Sequence, residues 1–321
     1  MAIVANTFTT YDAKGNREDL SDIIYNISPE KTPFVSMCSK GKAEATLFEW
    51  QTESLAATDT TNAQLDGDDL TSWTAVAPTT RSGNYTQISR KEFLISGTQE
   101  KVNKAGRKSE ISHQTAKKGM ELRRDIEAIC FAAQAGVAGN TTTARKTAAL
   151  NSWVKTNTDF GGSGVDPAWT SGVPNAARTD GTQRAFTETL MKTVLQEGFT
   201  SGAEFTHLFV GPVNKQVASG FAGIATKNYD LSGKPRATAI VAAADVYVSD
   251  FGVVEILPSR FQRERDAWLL DFDFLEIATL RPFQVEELAK TGDGKKFMML
   301  QEWGLRVKNE AALGIVADLN T

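Results

Sequence analysis

The sequence has 321 residues, of which 41% are hydrophobic and 9% aromatic, and its 35 basic and 39 acidic residues give a formal net charge of −4. A chain of this size and composition is expected to be globular, with one large domain or two intermeshed domains around a real core. The near balance of charge argues against a surface devoted to phosphate backbones, so nucleic acid is expected as a neighbour and not as a ligand.

Cysteine usage and hydropathy indicate a reducing compartment. The two cysteines, Cys38 and Cys130, belong to no CxxC pair and to no zinc-type cluster with histidine. The N-terminus has no basic stretch followed by an apolar run, and no stretch approaches the roughly 18 apolar residues of a membrane span. We therefore expect neither a signal peptide nor a membrane span, and synthesis in a cytoplasm.

The first predicted element is a short helix with an apolar stripe. Its four apolar residues recur at the helical spacing i, i+3, i+4, i+7: Leu20, Ile23, Ile24 and Ile27. Asn16 supplies a cap and Pro29 ends the pattern. The segment 28–43 contains two prolines and is predicted to be an extended arm. Neither flank is large and apolar enough to cover the stripe, which therefore needs another surface.

A long two-stranded flap is predicted next. Residues 43–55 alternate with the period of a strand, with Phe48 and Trp50 on the same face, and residues 84–96 form a matching strand candidate. The residues between them are polar, small and acidic, as in a mobile loop tip. Since two strands without a covering layer are marginal in water, the flap needs a partner surface as well.

The strongest helix signal lies at 107–136. Apolar residues occupy one face of its C-terminal half, namely Leu122, Ile126, Ile129, Cys130 and Ala133. The first half is nearly all polar. At about 1.5 Å per residue such a helix spans about 40 Å. We expect half of it to be packed and the other half to be exposed or covered by another chain.

The stretch 139–183 is rich in Gly, Thr, Asn, Ser and Ala. A loop of this length is uncommon inside a compact domain. Because Trp153, Phe160 and Trp169 argue against simple disorder, we expect an insertion that lies along a surface.

The remaining sequence predicts a compact α+β unit and a closing hairpin. A helix capped by Thr187 leads to the buried strand "THLFVG", and Pro212 occupies the first turn of another helix, after which further strands follow. Near the end, two strand runs flank "KTGDGKK" at 290–296, whose Gly and Asp residues suit the positive backbone dihedrals of a tight turn.

Catalytic patterns are sparse in this sequence. The two histidines are His113, on the polar half of the long helix, and His207, at the edge of a buried strand, and neither is predicted to be catalytic. The nucleophile-elbow, phosphate-loop and zinc-protease motifs are absent. We therefore predict that the chain is not an enzyme, with no catalytic residue and no cofactor.

Two acidic clusters raise the alternative of a metal site. Asp66, Asp68 and Asp69 could hold a hard cation through oxygen ligands, but they lack the spacing of a calcium loop, so a solvated loop tip is favoured. Asp271 and Asp273 are predicted on one face of a strand in "LDFDFLE", which is ordinary alternation. No metal site is predicted.

Two stretches of the chain carry a family resemblance. The first comprises "NTFTTYDAKGNREDLSDIIYNISPEKTPFVSMCSKGKA" and the "FEWQTESLA" that follows it, and the second is the closing "RPFQVEELAKTGDGKKFMMLQEWGLRVKNEAALGIVADL". With the order of the elements between them, they resemble the major capsid proteins of tailed bacteriophages, in the branch found in certain podoviruses and siphoviruses. These proteins have the Hong Kong 97-type fold.

The resemblance implies an α+β fold and a structural protein that self-assembles from hexamers and pentamers into the icosahedral shell around the double-stranded DNA genome of a tailed phage. The implied divisions are an N-terminal arm at 1–42, an extended β-hairpin loop at 43–96, a peripheral domain at 97–186 with a spine helix at 107–136 and the insertion at 139–183, an axial domain at 187–274, and a return to the peripheral hairpin and a C-terminal strand at 275–321.

Eight residues are expected in subunit contacts: Leu20, Ile23, Ile24, Ile27, Phe48, Trp50, Asp293 and Lys295. The turn 290–296 is expected where three subunits meet. The expected partners are other copies of the chain, packaged DNA as a non-specific neighbour, and scaffolding, portal and decoration proteins, with no membrane. Any scaffolding segment is expected on a separate protein or on a piece already removed. The expected location is the virion, after assembly in the host cytoplasm.

Two other readings remain as alternatives. One is another structural part of a phage, such as a tail or portal component. The other is a hydrolase that uses the acidic clusters.

Overall fold

The structure is a computed structural model that describes residues 28–29, 31–67, 69, 73, 75–221 and 245–321. The predicted N-terminal helix with its apolar stripe lies outside the described residues. Within the described residues, no helix combines the length and the apolar character that crossing a bilayer requires.

The described residues form six α-helices and fourteen strands in mixed order. The first half of the chain forms α1 (Pro33–Met37), β1 (Ser39–Lys42), β2 (Leu47–Thr52), β3 (Thr80–Tyr85), β4 (Gln87–Ser96), α2 (Gly97–Lys101), α3 (Glu110–Phe131) and α4 (Leu150–Trp153). Next come β5 (Asn157–Asp159), β6 (Ala168–Thr170), β7 (Val173–Ala176), α5 (Glu188–Ser201), β8 (His207–Val210) and α6 (Pro212–Ser219). The last part forms β9 (Val246–Ser249), β10 (Gly252–Pro258), β11 (Ala267–Leu270), β12 (Leu275–Leu288), β13 (Gly294–Val307) and β14 (Leu313–Val316).

One sheet has four strands in the order β1-β12-β13-β4. Its centre is the long antiparallel hairpin of β12 and β13, which pair from Leu275 opposite Val307 to Leu288 opposite Lys296. The predicted hairpin around 290–296 is therefore confirmed. The connection at 289–293 contains one glycine, Gly292, and no residue of 290–296 has a positive φ, so the positive dihedrals predicted for this turn are wrong.

The other large sheet has six strands in the order β5-β14-β11-β8-β10-β9. β8, which is the predicted strand "THLFVG", lies inside this sheet, and α5 packs on it with Met191, Val194 and Leu195 buried. Thr187 caps α5 as predicted, because its side chain accepts a hydrogen bond from the Leu190 N–H at 3.4 Å.

The long helix α3 joins the two sheets through a shared aromatic core. Its face carries Leu122, Ile126 and Cys130, all buried as predicted. The helix is shorter than predicted, since Ser109 caps its start and the chain leaves the helix after Phe131, so that Ala133 is exposed.

The rings of this core come from both halves of the chain. The Phe131 ring lies 4.9 Å from the ring of Phe34, in α1, and 6.0 Å from that of Phe209, in β8. Because one cluster of buried side chains spans both sheets, the described parts of the chain are intermeshed.

The prediction of an extended arm at 28–43 is wrong for residues 33–37, which are helical, while residues 39–42 are extended but lie in a sheet of their own subunit. Residues 33–37 form α1 and residues 39–42 form β1, which pairs in parallel with β12. Phe34 is fully buried, so the apolar part of this segment belongs to the core of its own subunit. Pro33 does not prevent the helix, because the first helical turn tolerates a proline.

The predicted pairing of the flap strands is also wrong in part. β2 pairs with β3 over 47–52 and 80–85, but β4 pairs with β13 over ten residues. The chain changes sheets at Thr86, which is buried and donates its hydroxyl to Glu302 at 2.9 Å. The flap is consequently a short two-stranded root with a long connection at 53–79.

The stretch 139–183 lies only partly on a surface, so this prediction is wrong for its buried part. Residues 147–154 are all buried, and β5 adds an edge strand to the six-stranded sheet. Asn84 of β3 is buried against this stretch and satisfies its backbone. Its side-chain NH₂ donates to the Ala148 and Leu305 carbonyls, and its side-chain oxygen accepts from the Ala148 N–H. Buried polar groups that are hydrogen-bonded in this way do not destabilise a core.

One detail near the C-terminus differs from the sequence prediction, and another was not predicted. Asp271 and Asp273 do not share a strand face, because residues 272–274 form a 3₁₀ turn in which Asp271 accepts from the Asp273 N–H at 3.0 Å. After β13 the chain leaves the four-stranded sheet, and the C-terminal strand β14 pairs with β11 and β5 in the six-stranded sheet.

Candidate functional site

The flap root is held firmly on its own subunit. Phe48 is buried and stacks on Trp50 at 5.9 Å between ring centroids, and the guanidinium of Arg306 lies over both rings. The Trp50 indole N–H donates to the Lys308 carbonyl at 3.1 Å. A Cβ added at Gly304 would stand 2.5 Å from the Phe48 ring, so the close approach requires glycine.

This packing bears on two of the expected subunit contacts. Phe48 is buried in its own chain, which argues against the contact predicted for it. Trp50 is half-buried, with its polar group already satisfied by Lys308. Both rings fix the direction in which the flap leaves the body, which is a positioning role that alternation alone did not reveal.

The flap connection 53–79 carries exposed apolar side chains. Its described residues are all exposed and form no helix or strand. Four large apolar residues stand out by their exposed fractions: Leu55 at 97%, Leu65 at 82%, Trp73 at 82% and Val76 at 93%. Isolated exposed apolar residues are ordinary, whereas four in one connection make it a candidate interaction surface. The sequence interpretation treated this connection only as polar.

Asp293 and Lys295 lie together at the end of the β12–β13 hairpin. Both are exposed, and Lys295 Nζ lies 3.6 Å from the Glu287 carboxylate across the hairpin. The Asp293 carboxylate faces Gly97, where an added Cβ would stand 2.6 Å from its Oδ1. From Gly304 to Lys295 the strand runs nine residues, or about 30 Å. The hairpin end and the flap root are thus separate surfaces.

A third surface was not recognised in the sequence. β9 is an edge strand of the six-stranded sheet and presents Val246 and Val248 to solvent, with Val253 exposed on the neighbouring strand β10. The rings of Phe199 and Phe251 lie beside each other at 5.0 Å and are also exposed. The signal was available in "VYVS" and "GVVEI", where apolar residues occupy both faces of a strand that needs only one buried face.

The segment that enters the core at α1 is held by a buried carboxylate. Glu127 of α3 accepts hydrogen bonds from the Phe34 N–H at 3.0 Å and the Val35 N–H at 2.8 Å. Burial raises the pKa of Glu127, against these two bonds and the Arg123 charge, which lower it. Since Thr32 provides no side-chain cap, Glu127 satisfies the first amides of α1. An acid among the apolar residues of "DIEAICF" was the signal for this contact.

A buried ion network holds the C-terminal end of the chain. Arg178 lies 2.8 Å from Asp266 and 3.5 Å from Asp318, and Arg265 lies 2.8 Å from Asp318. Burial would raise the pKa of Asp318, but the Arg178 charge and the hydrogen bonds to the carboxylate hold that pKa below its usual range. Burial raises the pKa of Asp266 despite its arginine neighbours.

Among the described residues, no cluster of three His, Cys, Asp or Glu side chains is placed to bind a metal ion. His207 lies at the edge of β8 as predicted, 3.7 Å from Glu255, and His113 lies on the polar half of α3. Asp68 lies outside the described residues.

Comparisons with known proteins match this architecture. The family model of the SU10 major capsid protein matches residues 3–320. The major capsid protein of Escherichia phage Phieco32 is 29% identical over an alignment of 342 positions that covers 96% of each chain.

Solved phage structures have the same fold. The capsid asymmetric unit of Cyanophage A-1(L) has a TM-score of 0.67 at 13% identity and covers 98% of this chain and 99% of its own. A structure of Mycobacterium phage Adephagia has a TM-score of 0.61 at 10% identity and covers 99% of both chains.

The fold is therefore that of the Hong Kong 97-type capsid proteins. Because its family model spans nearly the whole sequence, the chain belongs to the SU10 major capsid protein family. It is a structural protein of the virion, and many copies form the icosahedral shell of a tailed bacteriophage. The match leaves no support for the alternative of a tail or portal component.

Proposed function

We propose that neighbouring subunits of the shell are joined by the flap connection 53–79, which reaches from a fixed root onto the next subunit. The exposure of its four apolar residues carries this proposal. Such side chains stay in water on an isolated subunit, and each gains about 1.5–3 kcal/mol when it is fully buried. A copy of the same chain is the partner that a shell supplies in every direction.

The geometry of the root supports a reach toward a neighbour. β2 and β3 pair over six residues and are fastened to the body by Phe48 and Trp50. At their outer end the hydroxyls of Thr52 and Thr80 are 2.7 Å apart, and the chain then leaves the sheet. A rigid base supports this role, because the connection that leaves it exposes four large apolar side chains that a second body could cover.

The hairpin end and the β9 edge would complete the contacts. Asp293 and Lys295 of the hairpin end would meet neighbours where three subunits converge, and the edge of β9 would contact a subunit within the same hexamer or pentamer. The stripe of the N-terminal arm would also be covered in the assembled shell.

The domain division given by the family resemblance is part of this proposal. It assigns 1–42 to the arm, 43–96 to the extended loop, 97–186 and 275–321 to the peripheral part, and 187–274 to the axial part. The shared core supports close contact of the last two parts, since β5 and β14 enter the same sheet as β8.

The remaining biology follows from a capsid role. The shell would enclose double-stranded DNA as a non-specific neighbour, in line with the net charge of −4. Scaffolding, portal and decoration proteins would be further partners, with any scaffolding segment on a separate protein or on a piece already removed, and assembly would take place in the host cytoplasm. The chain would have no enzymatic activity.

A variant with four substitutions in the flap connection tests the proposal: Leu55→Ser, Leu65→Ser, Trp73→Ser and Val76→Ser. Its matched control is Thr58→Ser with Thr60→Ser, which changes the same connection without removing apolar surface. Both proteins are made together with the other head proteins of the phage. We expect the flap variant to give subunits with unchanged circular dichroism and melting but few sedimenting shells, and the control to give normal shells. Normal shell yield from the flap variant would overturn the proposal.

A further inference from the structure

An open apolar groove lies between α3 and the four-stranded sheet, with a volume of about 540 Å³. Its floor consists of Leu122 and Ile126 from α3 and Ile277 from β12, which also belong to the buried core. The groove therefore reaches down to the core of the subunit.

The rim of this groove is apolar and exposed. Met120 and Phe283 line it and are 42% and 47% exposed, respectively. Gly119 adds no side chain between them, and a Cβ placed there would still stand 3.8 Å from the Phe283 ring. An apolar cleft with a closed floor and exposed walls is suited to one face of an amphipathic helix.

We infer that this groove binds the chain's own segment 20–27 through the stripe of Leu20, Ile23, Ile24 and Ile27. Three observations favour this occupant over others: the point at which the chain enters the described structure, the spacing of the stripe, and the charges beside the groove.

The position of α1 brings the segment to the groove. Val35 of α1 lines the groove itself, and α1 is fastened to α3 by Glu127. Pro33 follows Ile27 by six positions, and an extended chain spans about 20 Å over that distance. A segment on so short a tether has a high effective concentration at the groove.

The stripe has the spacing that a helix needs for a groove of this kind. Positions i, i+3, i+4 and i+7 place four apolar side chains on one side of two helical turns. On the same projection Asp19 lies beside the stripe and Asp22 lies on the opposite face.

Charge at the groove complements the segment. Lys40 and Arg123 line the groove beside its apolar floor, and Arg123 also donates to the Ser36 hydroxyl at 2.7 Å. An acid at Asp19 would meet these cations when the stripe faces the groove. The flap connection is a weaker candidate for the groove, because its described residues form no helix that could present such an apolar stripe.

A disulfide experiment tests the inference with a folded subunit. Ile24→Cys is combined with Met120→Cys, and the matched control combines Asp22→Cys, on the opposite face, with Met120→Cys. Background is low, because Cys38 and Cys130 are both buried. After mild oxidation we expect an intrachain disulfide in the first pair, seen as a faster band of monomer mass and as a linked peptide in mass spectrometry. The control pair should lose most of this product.

Three outcomes would overturn the inference. The first is a dimer-mass product from the Ile24→Cys pair, which would assign the groove to the segment of a second copy. The second is the absence of a disulfide in a subunit of unchanged circular dichroism. The third is equal disulfide formation in both pairs. A dimer-mass product from Trp73→Cys with Met120→Cys would assign the groove to a neighbour's flap and would overturn it as well. The inference does not depend on the proposed role of the flap, so its failure leaves that proposal standing.

If a double-cysteine variant does not fold, trypsin provides a second measurement. Cleavage after Arg17 in the otherwise unchanged chain should be slow when the segment is docked. Phe283→Asp places a charge on the groove wall and should accelerate this cleavage. An unchanged cleavage rate in folded Phe283→Asp protein would overturn the inference.

Discussion

The carboxylate of Glu127 accepts hydrogen bonds from the backbone amides of Phe34 and its successor, although Glu127 and Phe34 are 93 positions apart in the sequence. This contact joins the first described helix to the longest one and places the Phe34 ring in the core, 4.9 Å from Phe131. A buried acid is thereby responsible for where the N-terminal arm enters the subunit.

Replacing this acid should loosen the entry point. In Glu127→Gln only one oxygen remains to accept, and an NH₂ group faces an amide donor. We expect a loss of about 1–3 kcal/mol in the free energy of unfolding, the range for a buried donor left unsatisfied. Urea denaturation of the purified subunit measures it. Glu121→Gln, on the same helix in a partly exposed pair with Lys118, should change stability by about 1 kcal/mol or less. Equal losses in the two variants would contradict the capping role of Glu127.

The ion network at the C-terminus predicts a pH dependence. The folded-state pKa of Asp318 is lowered, so its contribution to stability is present at neutral pH and is lost as the pH falls through that value, below the ordinary aspartate pKa of about 3.9. Asp318→Asn keeps the shape of the side chain and tolerates the positive φ of 59° at this position. We expect the variant to be about 1–3 kcal/mol less stable at pH 7, because Arg178 and Arg265 each lose a charged partner while Arg178 keeps Asp266.

The difference between Asp318→Asn and the unaltered chain should narrow between pH 4 and pH 2, as measured by denaturant unfolding at several pH values. Asp166→Asn, at an exposed position, serves as the control and should be nearly neutral throughout. A constant difference at all pH values would show that the ionised carboxylate of Asp318 does not stabilise the fold.

The hairpin end provides a test by charge and salt. If Asp293 forms an ion pair with a lysine of a neighbour where three subunits meet, Asp293→Lys should impair shell assembly at low salt. Assembly of the variant should recover partly at high salt, since salt screens exposed charges over about 8 Å at physiological ionic strength. Light scattering of assembly reactions measures this. Glu44→Lys reverses an exposed charge away from the hairpin end and is the control. Assembly that is indifferent to both Asp293→Lys and salt would leave this turn in solvent.

The local parts of the fold were predictable from the sequence. The helices α3 and α5 and the β12–β13 hairpin follow from periodicity and turn residues, which act within a few positions. The partner of β4 was not predictable, because strands 87–96 and 294–303 lie about two hundred positions apart in the sequence. Neither strand carries a local pattern that identifies the other as its partner. The burial of Asn84 and of the stretch 147–154 depends on hydrogen bonds of the same long range.

The candidate contacts divide in the same way. Asp293 and Lys295 were placed correctly at an exposed hairpin end because a turn is a local feature. Phe48 was assigned to a neighbour because alternation reveals a face but not what covers it, and the cover is Arg306 and Gly304 of the same chain. The β9 edge was missed because edge position is a property of the whole sheet.

That edge gives the last prediction. β9 presents Val248, 71% exposed, on a strand whose outer backbone groups have no strand partner among the described residues. Proteins protect such edges with charged side chains, and an unprotected apolar edge is suited to pairing or packing with another chain. Val248→Lys should therefore leave a folded subunit and weaken each contact by about 1.5–3 kcal/mol, the gain from burying a valine side chain. That weakening lowers the association constant of each contact about 10- to 150-fold.

Val248→Thr is the matched control, because it keeps the branched shape and strand preference without adding charge. Analytical ultracentrifugation of subunits and shells should show a loss of closed particles for the lysine variant and near-normal particles for the threonine variant. Shells of normal yield and size from Val248→Lys would mean that this edge faces solvent in the assembled particle.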